Sequence, residues 1–207
     1  GRERGLDLIA VCDHNSAENV EAVSTAAQNI GLAVIGGMEI SSREEVHVLG
    51  IFKDDDALRS AQEIVYENLD GWNNAETFGE QLVMNERAEV LRSNVRLLIG
   101  ATGLSLEQVV LTIHRLGGIA IAAHVDRPSF SVISQLGFIP PRLGLDGVEV
   151  CSDDLPPLPE DLPVLRSSDA HRLEEIGSRC TRFLLESPTV PEIGMALRGI
   201  NGRRIVT

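Results

Sequence analysis

The sequence predicts an α/β barrel whose strands carry polar side chains to one end. Several apolar runs are too short for a helix and rich in Val, Ile and Leu, which is typical of buried strands. Polar strand ends converge on one point when parallel strands share a face, as at the catalytic end of α/β barrels. The runs and the residues that follow them are 6–12 with Asp13-His14, 32–38 with Glu39, 118–123 with His124, 145–150 with Cys151, and 163–168 with Asp169 and His171.

Length and composition fit one globular domain. The 207 residues suffice for a substantial core, and 43% hydrophobic with 24% charged residues is an ordinary balance. No linker is evident, so we interpret residues 1–207 as a single domain. No apolar stretch is long enough to cross a membrane, and we expect no membrane partner. The three cysteines are unclustered, which argues against disulfides and favours a reducing cytoplasm.

The formal net charge of −13 and the pI near 4.8 indicate an acidic surface. Such a surface repels nucleic acid and anionic lipid. We therefore expect a small phosphorylated substrate rather than long nucleic acid, with bound divalent metals offsetting the acid locally. The sequence does not indicate an oligomeric state.

Local signals place the helices and the remaining strands. Asn15 or Ser16 can cap a first helix, and Ser105 begins a capping box. Residues 69–104 break the alternation of strands and helices, and we predict a helical insertion or lid there, with a helix over Glu76–Arg92. The other predicted elements are helices over 16–29, 55–68, 106–116, 131–136 and 190–198, and strands over 46–52 and 180–186.

Histidines and carboxylates at the strand ends predict a metal site. Their mixture, without clustered thiolates, suits Zn²⁺, Mn²⁺ or Fe²⁺ rather than Mg²⁺ or Ca²⁺ alone. A carboxylate such as Glu39 can bridge two ions, and two-metal sites hydrolyse phosphoesters. His114 lies inside a predicted helix, and we interpret it as structural. The other four histidines flank apolar runs: His14, His47, His124 and His171.

Five motifs stand in order at these positions: Asp13-His14, Gly37-Met38-Glu39, His47, Ala123-His124 and Ser168-Asp169-Ala170-His171. Together they resemble the PHP (polymerase and histidinol phosphatase) family of metal-dependent phosphoesterases. The resemblance extends from Leu6 to about Arg204. It implies a distorted seven-stranded (β/α) barrel that holds two or three divalent ions.

The resemblance also implies a role for each motif residue. The metal ligands would be His14, Glu39, His47, His124, Asp169 and His171. Glu39 would be shared between two ions, with His47 and His124 completing the site of one of them. Asp13 would orient a ligand or serve as a further one. The residues expected to act in catalysis are His14, Asp169 and His171.

One family motif has no counterpart in this sequence, a His-x-His on the first strand. We expect these ligands about one strand–helix unit upstream of Gly1, so that the chain is a fragment whose first barrel strand is missing. The alternative is a natural variant with an incomplete site.

Other residues give weaker signals. Arg127, in the loop after a predicted strand, either holds a substrate phosphate or pairs with Asp126. Arg172 is a similar but weaker candidate. Cys12 is expected inside the core, and Cys151 is expected to be buried as a small apolar residue.

The main functional prediction is a metal-dependent phosphoesterase that hydrolyses a small phosphorylated metabolite or a nucleotide. One alternative is an exonuclease-like hydrolase that acts on short nucleic acid ends. It would need a basic channel with aromatic residues, for which the insertion offers Arg87, Arg92 and Arg96. The other alternative is a non-catalytic metal-binding module with a degenerate site.

Overall fold

The computed structural model describes residues 1–206 and shows an α/β fold around one six-stranded sheet. In chain order the strands are β1 Leu8–Val11, β2 Ala33–Ser41, β3 His47–Ile51, β4 Leu82–Met84, β5 Val90–Ser93, β6 Ile119–Ala122, β7 Gly147–Val150, β8 Val164–Arg166, β9 Arg182–Leu184 and β10 Arg204–Val206. The α-helices are α1 Val20–Gln28, α2 Asp55–Glu67, α3 Ala75–Phe78, α4 Leu106–Arg115, α5 Val132–Leu136 and α6 Val190–Leu197.

The central sheet has the order β1-β2-β3-β6-β7-β8 and curls into a half-barrel. This confirms the predicted fold class, a distorted α/β barrel. The expectation that all ligand-bearing strands run parallel is wrong for β3, which is antiparallel to both β2 and β6. The reversal explains why the histidine of β3 stands at its start. His47 pairs with Ser41 at the end of β2 and so reaches the same edge as the other strand ends.

Apolar layers on both faces hold the sheet. Side chains alternate between the two faces of a strand. In β2, Met38 and Ile40 enter a buried core shared with α2 and α4, whereas Ile35 enters a second core shared with α6. We call the side that faces α6 the inner face. Glu39 lies four residues from Ile35 and therefore belongs to the inner face, at the end of the strand.

Side-chain capping marks the start of α2 and of α4. Asp54 caps α2 through its side chain, and Ser105 forms the predicted capping box at α4. Helix α1 begins later than predicted, at Val20, and the side chain of Asn15 bonds to the carbonyls of Leu98 and Gly100 instead of capping it. No helix within residues 1–206 is long and apolar enough to cross a membrane.

The insertion, residues 69–104, is mainly irregular, with three short regular elements. Its one α-helix among the described residues is the four-residue α3, and β4 and β5 form an antiparallel hairpin. The prediction of a helix over Glu76–Arg92 is therefore wrong. Gly79, at a φ of 83°, ends α3 in a conformation that favours glycine. A bridge between Leu69 and Thr102 joins the two ends of the insertion.

Candidate metal centre

Three histidines surround the carboxylate of Glu39. Its Oε1 atom lies 3.3 Å from Nδ1 of His47 and 3.2 Å from Nε2 of His124. Its Oε2 atom lies 2.9 Å from Nδ1 of His14. Glu39, His47 and His124 are buried, whereas His14 is partly exposed. Oε1 thus faces two imidazoles and Oε2 faces a third.

The strand ladder sets the spacing of these side chains. Glu39 lies near the end of β2, His47 begins β3, and His124 follows β6 by two residues. A parallel bridge between His14 and Glu39 extends the pairing of β1 with β2. The backbone nitrogen of Ala123 donates to the carbonyl of His47 at 3.1 Å. The cluster is therefore fixed by backbone pairing rather than by flexible loops alone.

Asp169 and His171 stand in the loop after β8, beside the same cluster. The ring centres of His14 and His171 are 6.4 Å apart. Asp169 has a positive φ of 42°, and its Oδ2 atom lies 2.6 Å from Nη1 of Arg127. Nδ1 of His171 donates to the backbone carbonyl of Asp169 at 2.9 Å. The loop adds a carboxylate and an exposed imidazole to the open side of the cluster.

Asp13 is tied to the site by its backbone as well as its side chain. Its carbonyl accepts a hydrogen bond of 3.0 Å from the backbone nitrogen of Glu39. Its carboxylate accepts a long hydrogen bond of 3.4 Å from Nδ2 of Asn19. Burial raises the pKa of Asp13 above its ordinary value. The expected role in orienting a ligand stays a prediction.

The donor set fits a divalent cation. Ligand atoms of His14, Glu39 and His47 all lie within 4.8 Å of one another. Burial works to raise the pKa of Glu39, but the surrounding imidazoles, that of His124 foremost, hold it well below its ordinary value. The carboxylate is therefore ionised and competent to bind metal. Among residues 1–206, buried atoms with no aligned hydrogen bond include Nδ1 of His14 and Oδ2 of Asp169, despite the close approaches given above.

Two residues that support the cluster give no clear signal in the sequence. Glu149, buried on β7, accepts a hydrogen bond of 3.0 Å from the backbone nitrogen of His124 and another from the hydroxyl of Ser167. His124 has a φ of 31°, so this bond holds a strained backbone next to a ligand. Phe130 stacks on His47 with ring centres 5.0 Å apart. The position of Glu149 at a strand end is the one clue that the sequence offers.

Arg127 pairs with Asp169 and not with Asp126. The carboxylate of Asp126 instead accepts hydrogen bonds from the backbone nitrogens of Cys151 and Ser152. The Asp126 pairing considered from the sequence is therefore wrong, because the backbone after β7 occupies that carboxylate. The phosphate-binding role of Arg127 stays a prediction.

The structure also shows where the other residues singled out in the sequence lie. The sequence assigns Cys12 to the core, but the structure leaves it half-buried at the edge of a cleft. Cys151 is half-buried, and desolvation raises the pKa of its thiol to about 12. The backbone nitrogen of Arg172 bonds to Glu175 in a short surface turn. Nε2 of His114 lies 2.9 Å from Oδ2 of Asp146, which agrees with a structural histidine.

A cleft of about 480 Å³ separates the cluster from the insertion. Exposed apolar side chains of the insertion form part of its far wall, namely Phe78, Leu82 and Ile99. Two of the three arginines considered for a basic channel, Arg92 and Arg96, are engaged elsewhere. Arg92 pairs with Glu18 at 2.5 Å, and Arg96 lies over the ring of Tyr66 at 4.2 Å. The insertion presents a largely apolar wall to the cleft rather than a basic one.

Comparisons with known proteins identify the fold. No family model matches the sequence. A 5'-3' exoribonuclease of Haemophilus influenzae is 31% identical over 51 residues, which are 23% of this chain and 19% of that protein. A lesion-specific endonuclease from Pyrococcus furiosus has a TM-score of 0.67 at 21% identity, covering 99% of this chain and 51% of the endonuclease.

Two further solved structures are similar. Endonuclease Q in complex with a 27-mer duplex substrate, with an abasic lesion at its active site, gives a TM-score of 0.66 at 19% identity over 98% of this chain and 50% of that one. A protein described as a metal-dependent phosphoesterase from Bifidobacterium adolescentis gives 0.52 at 19% identity over 94% and 85%. The chain shares their fold and spans about half the length of the endonucleases.

The prediction of a small phosphorylated substrate, with no long nucleic acid partner, is wrong by these comparisons. The two structures with the highest TM-scores given above, 0.67 and 0.66, are endonucleases, and one of them holds a 27-mer duplex substrate. The net charge led to this prediction, but it describes the whole surface, whereas substrate binding depends on the charges at the site itself. Membership of the PHP family stays a prediction.

Proposed function

We propose that this chain is the catalytic part of a divalent-metal-dependent nuclease of the PHP type, which hydrolyses phosphodiester bonds in nucleic acid. The observation that carries the proposal is the Glu39 carboxylate, held between imidazoles on both of its oxygens beside an open cleft. Fold likeness to endonucleases and the short sequence match to an exoribonuclease support it.

In this proposal Glu39, His47 and His124 would hold one divalent cation. Glu39 and His14 would hold a second, with Asp169 and His171 near by. Zn²⁺, Mn²⁺ and Fe²⁺ all suit these donors. When bound, divalent cations at such a site activate water and neutralise phosphodiester charge.

The chain's own residues bind and orient the substrate. Arg127 brings a fixed positive charge beside Asp169 and, with a side chain 40% exposed, serves as the phosphate-binding group. His14, Asp169 and His171 line the cleft and are the residues proposed to position the reacting phosphate and exchange protons with it.

The cleft favours a nucleotide on grounds of size and lining. Its apolar wall can pack against a base or sugar without reading a base edge. The amides that line it are already bonded within the protein. Gln81 donates to the carbonyls of Asn94 and Arg96, and Oδ1 of Asn19 accepts from the backbone nitrogen of Met84. We therefore expect little sequence preference from this wall.

Cleavage of labelled oligonucleotides tests the proposal. Single-stranded and duplex DNA and RNA, with and without an abasic site, are incubated with the protein and Mn²⁺ or Zn²⁺. We expect cleavage that chelator abolishes and that His124→Ala lowers on the order of 100-fold. His114→Ala, which removes a histidine remote from the cleft, is the matched control and should retain activity. Absence of cleavage on every substrate by metal-loaded protein, or full activity of His124→Ala, would overturn the proposal. Closed circular strands separate internal from terminal cleavage.

A further inference from the structure

Asn15 is fully buried although it stands in the loop between β1 and α1. Its Nδ2 atom donates two hydrogen bonds of 2.8 Å, to the backbone carbonyls of Leu98 and Gly100 in the insertion. Its Oδ1 atom accepts a hydrogen bond of 3.0 Å from the backbone nitrogen of Ser41. Its own backbone nitrogen donates to the carbonyl of Glu39 at 2.9 Å. This one residue therefore bonds to both β2 and the insertion.

The backbone of Asn15 adds a second constraint. Its φ of 46° lies in the left-handed region, which asparagine and glycine tolerate better than other residues. The turn comes directly after His14, whose Nδ1 atom lies 2.9 Å from Oε2 of Glu39. Both amide hydrogens are used, so an aspartate at this position would set an oxygen against two carbonyl oxygens.

We propose that Asn15 is a positioning residue that joins the candidate metal centre to the insertion. The inference rests on the proposed function, because it concerns the same metal centre. Bonds to residues 98–100 and to β2 hold His14 against Glu39, and they hold the insertion over the cleft. Metal affinity is then coupled to order in residues 98–100, the segment of the insertion that Asn15 bonds, and the coupling acts in both directions.

Metal titration of two variants tests the first direction. Asn15→Gly keeps the left-handed turn and loses the amide, whereas Asn15→Asp keeps the shape and loses both donors. We expect the dissociation constant for Zn²⁺ or Mn²⁺, measured by calorimetry, to rise about 10- to 100-fold in both variants. Affinity within twofold of the wild type in both, in proteins that still unfold cooperatively in urea, would overturn the inference.

Asn94→Ala is the control for a loosened insertion. Asn94 is also buried and anchors the insertion through Oε2 of Glu18 at 2.7 Å and the hydroxyl of Tyr66 at 2.8 Å, but these partners lie outside the metal cluster. Its loss should speed hydrogen exchange in the β4–β5 hairpin rather than in residues 98–100, and it should leave metal affinity unchanged. An equal loss of metal affinity in Asn94→Ala would show that any loosening suffices and would overturn a specific role for Asn15.

Hydrogen exchange of the wild type tests the reverse direction without a variant. Adding Zn²⁺ or Mn²⁺ should slow exchange in residues 96–102 and leave the two-stranded β9–β10 sheet unchanged as an internal reference. No slowing in a protein that binds metal contradicts the inference alone. Failure of the wild type to bind either metal contradicts the proposed function itself.

Discussion

At the scale of single residues, Glu39 is the point where histidines from three segments meet. Burial opposes its negative charge, and the nearby imidazoles compensate for it. His14 shares in the compensation, since the carboxylate of Glu39 raises the pKa of His14 above its ordinary value. Bound cations would then balance the negative charge of Glu39 in place of the imidazoles. Metal should therefore stabilise the folded chain through Glu39.

Replacement of Glu39 by glutamine tests this dependence. Metal at a hundred times its dissociation constant should raise the free energy of unfolding of the wild type by about 2.7 kcal/mol, because it binds the folded state alone. Glu39→Gln should show little of this gain, since a neutral amide is a poor ligand. Urea unfolding with and without metal measures both. Glu107→Gln, an exposed glutamate in the first turn of α4, is the control and should behave as the wild type.

The sequence predicts those residues of the candidate site that stand at the end of a strand. His14, Glu39 and His124 were predicted because an apolar run stops at each of them. Asn15 and Glu149 were not, because their partners lie far along the chain, most of them backbone groups. A side chain that bonds to a distant main chain leaves no local pattern, so only the folded structure shows it.

At the scale of elements, the insertion is fastened to the start of α1. Oε1 and Oε2 of Glu18 lie 2.5 and 3.2 Å from the guanidinium nitrogens of Arg92, and Asn94 donates to the same carboxylate. The β4–β5 hairpin that carries Arg92 was not predicted, because the stretch that forms it is also long enough to form a helix. The direction of β3 was not predicted either, since an apolar run does not indicate whether its strand lies parallel or antiparallel to its neighbours.

The Glu18 contact predicts a pH dependence. Burial works to raise the pKa of Glu18, but bonds from Arg92 and Asn94 hold it below the ordinary value of 4.5. The stability it contributes is therefore fully present above pH 4.5 and is lost as the pH falls through the lower folded-state pKa. The free energy of unfolding of the wild type should exceed that of Glu18→Gln by on the order of 1 kcal/mol at pH 7. Urea titrations from pH 7 to pH 3 should show the gap closing, and a constant gap would contradict this account.

At the scale of the whole molecule, a chain with net charge −13 is proposed to act on a polyanion. The inner face gathers Asp13, Glu39 and Asp169 beside one cleft, and cations bound there would reverse the local sign of charge. The chain spans about half the length of the endonucleases that share its fold.

Elemental analysis of bound metal is the most direct test of the central claim. Wild type, His124→Ala and His114→Ala are purified without chelator, and divalent metal is counted per chain. The account predicts one or more ions in the wild type and in His114→Ala, with at least one fewer in His124→Ala. Protein that carries no metal even after exposure to Zn²⁺, Mn²⁺ and Fe²⁺, or an unchanged metal content in His124→Ala, would contradict a metal centre at Glu39.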